Sequence, residues 1–372
     1  MKIRIDANVF SQMVQSAANA ISARPTNPAY ECVYLEARDG TLSATAQDGG
    51  VCIRKTTSQA LIEEDGNAII PAKTILGFIK LLYGDVILTV NKNRAELVCG
   101  RNKASIVCMD AESGFPELPE QKNAKTVIMR SEDFNRLYRD VKHCIGTDQG
   151  RVVLTGVNFS FDANEDKCEA VAMDGFRVAI SKAKAETNDT FSAVVPNDAV
   201  SLISKTIDDE HATFTFGTGQ LLVESGDTAM AVPLLSGDYV DYNKLLPKIS
   251  EMKVRFNVAE AIESVKVTMV SAQSDKKNLI VLRFGDDVMQ IFARNDRNDA
   301  ISETQIDRHG EMQNGDEIAF NCKFILEALN VIKPYADEAE LSLNTSVSPM
   351  VILPLDCKED IYQLILPVRR NA

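Results

Sequence analysis

The sequence lacks the residues and motifs on which most enzymes depend. Only three histidines occur in 372 residues, and they stand in unrelated contexts. There is no phosphate-binding loop, no G-x-G-x-x-G motif, no H-E-x-x-H zinc motif and no nucleophile elbow. The sequence therefore predicts a protein without catalysis, without a cofactor and without a bound metal.

Paired cysteines and long apolar runs are missing as well. The eight cysteines are scattered, and most lie in apolar stretches, which is typical of free buried thiols rather than of disulfides or a zinc site. No apolar run reaches 18 residues, and the N-terminus carries no apolar signal core. We therefore expect a reduced, soluble, cytoplasmic protein without a membrane segment.

A positive net charge is also absent. The formal net charge is −13 at pH 7, whereas proteins that bind DNA tightly are usually basic. Net charge is only a sum, so an acidic exterior can coexist with one basic surface. A protein of this kind would remain close to DNA without binding it tightly.

What the sequence has instead is an internal triplication. Junctions between an apolar strand and an amphipathic helix recur at Pro71, Pro196 and Asn321, that is every 125 residues. Units of this length are whole domains rather than solenoid repeats, which run to about 20 to 50 residues. We predict an α+β fold of three similar domains, each with two helices on one face of β-sheets, over residues 1–122, 123–250 and 251–372.

The helices are predicted from the spacing of apolar residues along one face. In the first domain either Asp6 or Asn8 is expected to cap the first helix. The face predicted to be buried carries Phe10, Met13, Val14, Ala17 and Ile21. The helices after the first and third junctions are predicted to bury two sets: Ile75, Phe78, Ile79 and Leu82, and Ile325, Ala328, Leu329 and Ile332. The helix after the first junction is predicted to end at Gly84, since glycine is typical just past a helix C-terminus.

The opposite faces of these helices carry cations although the chain is acidic. The candidates are Lys73, Lys80, Arg136, Arg139, Lys205 and Lys323. A solvated face is the usual meaning of such residues, and Asp140 and Glu327 lie among them, but their recurrence in all three domains favours a shared basic surface. Flexible lysines without aromatic neighbours suit loose, sequence-independent contact with phosphates.

Four short motifs make the sequence recognisable. Met173–Ala179 (MDGFRVA) resembles the stretch TDGHRLA of the bacterial DNA polymerase III sliding clamps, the beta subunits, and residues 237–247 (GDYVDYNKLLP) resemble their GRFPDYRRVLP. Ser22–Thr26 and Leu366–Arg369 match an early loop and the terminal MPMR of that family. The resemblance covers the whole chain. It implies a non-catalytic subunit that forms a head-to-tail homodimeric ring around duplex DNA and confers processivity on a tethered polymerase.

The resemblance also implies a groove for partner peptides between domains two and three. A short apolar peptide would dock there, with Arg177 and Arg369 fixing its polar atoms. The replicative polymerase catalytic subunit, the clamp loader and other proteins with a clamp-binding motif would compete for it. The matching positions are Leu154, Met173, Gly175, Phe176, Arg177, Val178, Val240, Lys244, Leu245, Leu364, Ile365, Leu366, Pro367, Val368 and Arg369.

Other positions are carried over from the family in the same way. Arg24 and Gln149 match loops that touch the duplex. Ring closure would bring the strand of Ala104 and Ile106 against Met269 and Val270 of a second copy. Phe176, Val240 and Lys244 replace a histidine, a proline and an arginine that are common in the family, and the chain runs three residues past Arg369. These departures bear on which partner peptides the groove prefers rather than on whether the groove exists.

Two other functions stay open at the level of the sequence. Asp208, Asp209, Glu210 and His211 could serve a metal-dependent hydrolase or transferase, although adjacent residues rarely converge on one ion, which favours a solvated loop. A three-domain scaffold that binds proteins without encircling DNA is the second alternative. A stable monomer in equilibrium sedimentation would favour these alternatives over a ring.

Overall fold

The structure is a computed structural model, and it describes residues 1–109, 118, 124–247, 252–272, 278–295, 300–310, 317–345, 347–357 and 360–368. The chain groups into two compact units. Unit 1 comprises residues 1–132, 185–189 and 198–234, and unit 2 comprises residues 133–184, 190–197 and 235–372. The central repeat therefore contributes to both units.

The helices and strands alternate along the chain much as the triplication predicts. The helices are α1 (Ala7–Ala18), α2 (Ala72–Ile79), α3 (Ser131–Val141), α4 (Asn197–Thr206), α5 (Val258–Ala272) and α6 (Cys322–Ile332). The strands are β1 (Lys2–Asp6), β2 (Cys32–Arg38), β3 (Thr41–Gln47), β4 (Cys52–Thr57), β5 (Leu61–Glu64), β6 (Gly66–Pro71), β7 (Asp85–Asn91), β8 (Arg94–Cys99), β9 (Asn102–Val107), β10 (Lys125–Arg130), β11 (Gly156–Asp162), β12 (Lys167–Met173), β13 (Arg177–Lys184), β14 (Glu186–Thr187), β15 (Phe191–Pro196), β16 (His211–Phe216), β17 (Gln220–Ser225), β18 (Thr228–Pro233), β19 (Met252–Asn257), β20 (Leu279–Phe284), β21 (Val288–Asn295), β22 (Ala300–Asp307), β23 (His309–Gly310), β24 (Glu317–Asn321), β25 (Glu338–Leu343), β26 (Met350–Pro354) and β27 (Ile361–Ile365).

Among the described residues, each unit contains two antiparallel sheets. In unit 1 the orders are β5-β1-β7-β8-β9 and β14-β10-β16-β17-β18-β4-β3-β2-β6. In unit 2 they are β15-β11-β12-β13-β27-β26-β25-β19-β23 and β22-β21-β20-β24. The pairings β18–β4 and β13–β27 extend both long sheets beyond single repeats. The exact domain boundaries after residues 122 and 250 stay a prediction.

Of the two candidate caps of α1, the structure uses Asp6. The carboxylate of Asp6 accepts hydrogen bonds from the backbone N–H groups of Asn8 (2.9 Å) and Val9 (3.3 Å), which have no partner inside the helix. Of the predicted apolar face, Phe10, Met13, Val14 and Ala17 are buried, whereas Ile21 is half-buried and lies beyond the end of the helix at Ala18. In α6 the whole predicted stripe is buried as well, in the core cluster of unit 2. Burial of one apolar stripe per helix thus fixes the helices against the sheets.

The predicted end of α2 is wrong. The helix ends at Ile79, and the N–H groups of Leu81 and Leu82 bond to the carbonyls of Phe78 (3.0 Å) and Ile79 (3.2 Å), three residues back. This tighter winding ends the α-helical spacing, so residues four apart no longer share a face. Phe78 is exposed rather than buried, because the buried stripe of α2 runs through Ala72, Ile75, Leu76 and Ile79.

Two further expectations can be compared with the structure. The eight cysteines are free thiols, and seven of them are buried, as predicted. Across the described ranges, no helix is both long enough and apolar enough to cross a membrane.

Candidate functional site

The floor of the predicted groove is an apolar cluster in unit 2. Leu154, Met173, Val178 and Leu364 are buried together in one cluster. Leu154 lies in a 3₁₀ segment at residues 149–155, Met173 ends β12, and Val178 is paired with Leu364 across β13 and β27. Strand pairing between distant parts of the chain therefore assembles this floor from residues that are far apart in sequence.

The rim consists of bulky apolar side chains that remain exposed. Phe176 is 63% exposed and Leu366 is 36% exposed, and the N–H group of Leu366 donates to the Phe176 carbonyl at 2.9 Å. Val240 and Leu245 are also exposed, while their neighbours Tyr239, Tyr242 and Leu246 pack on the floor cluster. Covering these exposed apolar groups with an apolar partner removes them from water, which lowers the free energy and favours binding.

Arg177 and Ile365 lie on the other face of the sheet. They are paired in register one residue away from the Val178–Leu364 pair, and successive residues of a strand face opposite sides. Ile365 belongs to the large core cluster of unit 2. Arg177 therefore lies on the side of the sheet opposite to Val178 and Leu364, and its contact with polar atoms of a peptide stays a prediction.

The guanidinium of Arg177 is already engaged inside unit 2. It is 9% exposed and donates to Asp174 at 3.0 Å, to the carboxylate of Glu327 and to the backbone carbonyl of His143. Arg369, the other residue predicted to fix polar atoms of a peptide, lies outside the described residues. Pro367 and Val368 are half-buried, and the N–H group of Val368 donates to the Ala319 carbonyl at 2.8 Å.

The remaining groove residues lie at turns. Gly175 has a φ of 89° at the tip of the β12–β13 hairpin, a conformation that favours glycine. Lys244 is exposed in a 3₁₀ turn at residues 242–244, and its ammonium lies 3.2 Å from Asp241. These two residues border the rim rather than the floor.

The residues predicted to face DNA fall into two groups. One group is exposed and comprises Arg24, Lys73, Lys80, Gln149, Lys205 and Lys323. The ammonium of Lys80 donates to the side chain of Gln15 at 2.6 Å, which joins the outward faces of α1 and α2. Arg136 and Arg139 form the second group, which is tied into unit 2.

Arg136 and Arg139 converge on the buried carboxylate of Asp140. Arg136 also bonds to Asp133 (3.3 Å) and to the Lys182 carbonyl (2.9 Å), so it is half-buried rather than presented outward. Arg139 is exposed but donates to the hydroxyl of Tyr335 at 2.9 Å. These arginines therefore do not share the open exposure of the lysines.

Burial is the largest cause of the pKa shifts of Asp140 and His143. It raises the pKa of Asp140, an effect that hydrogen bonds from Tyr335 and Ser181 partly offset. Burial, followed by the nearby charge of Arg177, lowers the pKa of His143 from 6.5 to about 4. His143 is therefore neutral at physiological pH.

With His143 replaced by Asn, the free energy of unfolding should fall less between pH 7 and pH 4 than it does in the wild type. Above pH 6.5 the imidazole is neutral in both states; between pH 6.5 and about 4 only the unfolded state binds a proton, so the free energy of unfolding falls as the pH falls. The contribution reaches about 3 kcal/mol at pH 4. Thermal unfolding of both proteins from pH 7 to pH 4 checks this. Asp140 is present in both proteins and cancels, and parallel curves would contradict the prediction.

The residues predicted for ring closure lie in two regions, one in each unit, and differ in exposure. In unit 1, Ala104 lines a cavity of about 270 Å³ with neighbours that include Phe78 and Leu81, whereas Ile106 is buried within its own sheet. In unit 2, Val270 is 78% exposed on α5, and Met269 is half-buried against the core. The position of Ile106 means that its side chain does not form the exposed surface.

Sequence reasoning missed several residues of these surfaces. Leu81 is 76% exposed and Tyr83 is also exposed beyond the end of α2, where the predicted helix would have hidden part of the segment. Beside the groove, Phe324 and Glu327 of α6 contact Phe176 and Arg177. No local signal identifies them, because the contact depends on how α6 meets a hairpin some 150 residues earlier.

The alternative metal site has no support in the described part of the chain. Within those residues, no three His, Cys, Asp or Glu side chains lie close enough together to hold a metal ion. The carboxylate of Asp208 lies 3.7 Å from the ammonium of Lys55 instead.

Comparison with known proteins shows which family the sequence and the fold resemble. Models of the N-terminal, central and C-terminal domains of the DNA polymerase III beta subunit match residues 1–119, 128–241 and 243–369. The beta sliding clamps of Staphylococcus aureus and Staphylococcus epidermidis are each 25% identical to the chain, with 99% of both chains covered. The structures of the DNA polymerase sliding clamp from Bacillus subtilis (TM-score 0.90, 23% identity) and of the polymerase beta subunit from Streptococcus pyogenes (TM-score 0.92, 20% identity) share its fold over the full length of both chains.

Proposed function

We propose, because this chain belongs to the DNA polymerase III beta subunit family, that two copies close head to tail into a ring around duplex DNA. Membership of the family makes the chain a sliding clamp, a non-catalytic processivity factor of DNA replication. The observation that carries this conclusion is the match of all three family domains, in order, along one chain. A cytoplasmic location, where replication proceeds in bacteria, goes with this function.

The exposed cations support contact with DNA that does not depend on base sequence. Lys73 in unit 1 and Lys323 in unit 2 stand on helices whose opposite faces are buried, and Lys80 directly follows the end of α2. Ammonium groups on flexible side chains neutralise phosphates, which carry no sequence information, so the contacts can exchange as the protein slides. The net charge of −13 limits the strength of this attraction. Sliding therefore has a physical basis in weak, exchangeable contacts.

Two edge strands support ring closure between copies. β9 ends the five-stranded sheet of unit 1, and β22 ends the four-stranded sheet of unit 2. An edge strand offers backbone hydrogen-bonding groups to another chain. Exposed apolar side chains accompany each edge: Leu81 and Val107 near β9, and Val270 on α5, next to β22 through the hydrogen bond from Ser302 to the Thr268 carbonyl (3.3 Å). Head-to-tail pairing would cover both regions.

The apolar rim and floor in unit 2 support the docking of partner peptides. Phe176, Val240, Leu245 and Leu366 offer exposed apolar surface, and the floor beneath them is already packed. A pre-formed apolar groove binds a short peptide without reorganising the protein. The polymerase catalytic subunit, the clamp loader and other proteins with a clamp-binding motif are its expected occupants.

Retention on circular DNA tests the ring directly. After loading onto a nicked circular plasmid by its clamp loader, the protein should co-elute with the plasmid in gel filtration, because a closed ring cannot dissociate without opening. Cutting the plasmid once with a restriction enzyme should release it, because the ring then slides off the ends. Equal retention on circular and linear DNA would indicate ordinary binding and contradict the proposal.

A further inference from the structure

We propose that Glu327 is a positioning residue for the groove, which acts through Arg177 and Phe324 to hold Phe176 at the rim. The inference rests on the proposed function of the groove as the docking site for peptides. It adds a residue of α6 that does not itself line the exposed apolar rim.

The first observation is that Phe176 is fixed although it is exposed. It sits in the turn between β12 and β13, where the carboxylate of Asp174 accepts hydrogen bonds from the N–H groups of Phe176 (2.9 Å) and Arg177 (3.2 Å). The Phe176 carbonyl accepts from the N–H group of Leu366. The backbone of Phe176 is thus held on both sides, which leaves its ring orientation to be set by neighbouring side chains.

The second observation is the position of the Arg177 guanidinium. It bonds to Asp174 within its own turn and to Glu327 on α6, so it ties the hairpin to the helix. Glu327 is half-buried, and Lys323 approaches it no closer than 3.9 Å. A charge-assisted hydrogen bond in a largely buried setting is stronger and better fixed in direction than an exposed ion pair. Glu327 is therefore the group on α6 that holds the guanidinium.

The third observation connects this ion pair to the aromatic rim. The guanidinium carbon of Arg177 lies 4.1 Å from the centre of the Phe324 ring, within the range of a cation–π contact. The ring centres of Phe324 and Phe176 are 6.5 Å apart with an angle of 32° between their planes, which is within the range of interacting aromatic pairs. Glu327, Arg177, Phe324 and Phe176 thus form a continuous chain of contacts.

The consequence concerns the shape of the groove. If the Arg177–Glu327 pair is lost, nothing on α6 holds the guanidinium over Phe324, and the Phe176 ring gains rotational freedom. A docked peptide must then restrict this ring at an entropic cost that the wild-type groove avoids. Glu327 accordingly raises peptide affinity without touching the peptide.

A double-mutant cycle tests the inference. The probe is a fluorescein-labelled peptide, Ala-Leu-Ala-Leu-Phe, whose binding to the full-length protein is followed by fluorescence anisotropy. We expect Glu327→Ala to weaken binding about fivefold, and to have less than about a twofold effect when Phe176→Ala is already present, since the route to the peptide is then removed. Asn330→Ala, which removes an exposed side chain of the same helix, is the matched control and should leave the affinity unchanged.

A second variant separates the positioning role from a general folding defect. Phe324→Leu keeps an apolar side chain but removes the ring, and it should reproduce both the loss and its dependence on Phe176. Equal effects of Glu327→Ala with and without Phe176 would overturn the inference, because Glu327 would then act on general stability. If the wild-type protein itself fails to bind the peptide, the proposed function of the groove fails; if it binds normally and Glu327→Ala has no effect, only the positioning role fails.

Discussion

Replacing Leu81 with Asp should abolish retention of the protein on nicked circular DNA. Leu81 is the most exposed leucine beside the β9 edge, and it lines the cavity that Ala104 also borders. Covering this region with a second copy would bury a carboxylate without a partner, which costs several kcal/mol. The ring should then fail to close, and sedimentation equilibrium should report the mass of one chain rather than two.

Leu61→Asp provides a matched control for this experiment. Leu61 is 58% exposed in β5, at the opposite end of the same five-stranded sheet, so the substitution changes charge and apolar exposure in a similar way. This variant should remain a dimer and stay on circular DNA. If both aspartate variants dissociate, general destabilisation of the sheet is the cause; if neither does, the interface lies elsewhere.

The sequence predicts the elements that depend on local patterns. The buried stripe of α6 and the Asp6 cap of α1 follow from apolar spacing and from the need of the first helical N–H groups for an acceptor. The end of α2 was missed because the tightening of its last turn leaves no apolar signal. The hairpin at Gly175 follows from the Asp-Gly pair, since the left-handed φ of the turn suits glycine.

The candidate site could be predicted only in part. Resemblance to a family identified the floor and rim residues, but the direction of each side chain depends on strand register. Arg177 and Val178 are neighbours in sequence, yet the β13–β27 pairing sends one side chain towards α6 and the other into the groove floor. Strand alternation alone indicates that the two side chains lie on opposite faces of the sheet. Only the tertiary contacts decide which of them faces the groove floor.

The same contacts explain why the acidic residues on the helix faces do not simply cancel the basic surface. Asp140 and Glu327 appeared in the sequence as charges that dilute it. In the structure, Asp140 binds Arg136, Arg139 and the Tyr335 hydroxyl, and Glu327 holds Arg177. Both carboxylates are used within unit 2, so they offset the charge of the exposed lysines less than two free carboxylates would.

Replacing Leu366 with Asp should abolish peptide docking while the ring remains intact. Leu366 closes the rim next to Phe176, above the Leu364 floor, and it lies one residue beyond the end of β27, so no strand pairing is lost. The change removes a large apolar contact and places a carboxylate against an apolar partner, so affinity should fall by at least about 100-fold. Anisotropy with the Ala-Leu-Ala-Leu-Phe peptide and primer-extension length with the polymerase measure the two consequences.

Val347→Asp is the control that separates a groove effect from a general one. Val347 is 73% exposed in a loop of the same unit, and its replacement introduces the same charge without touching the rim. This variant should bind the peptide and support long extension products as the wild type does, and both variants should stay on circular DNA. Normal peptide binding by Leu366→Asp would remove Leu366 from the groove, whereas its loss from circular DNA would mean that the substitution also disturbs the ring.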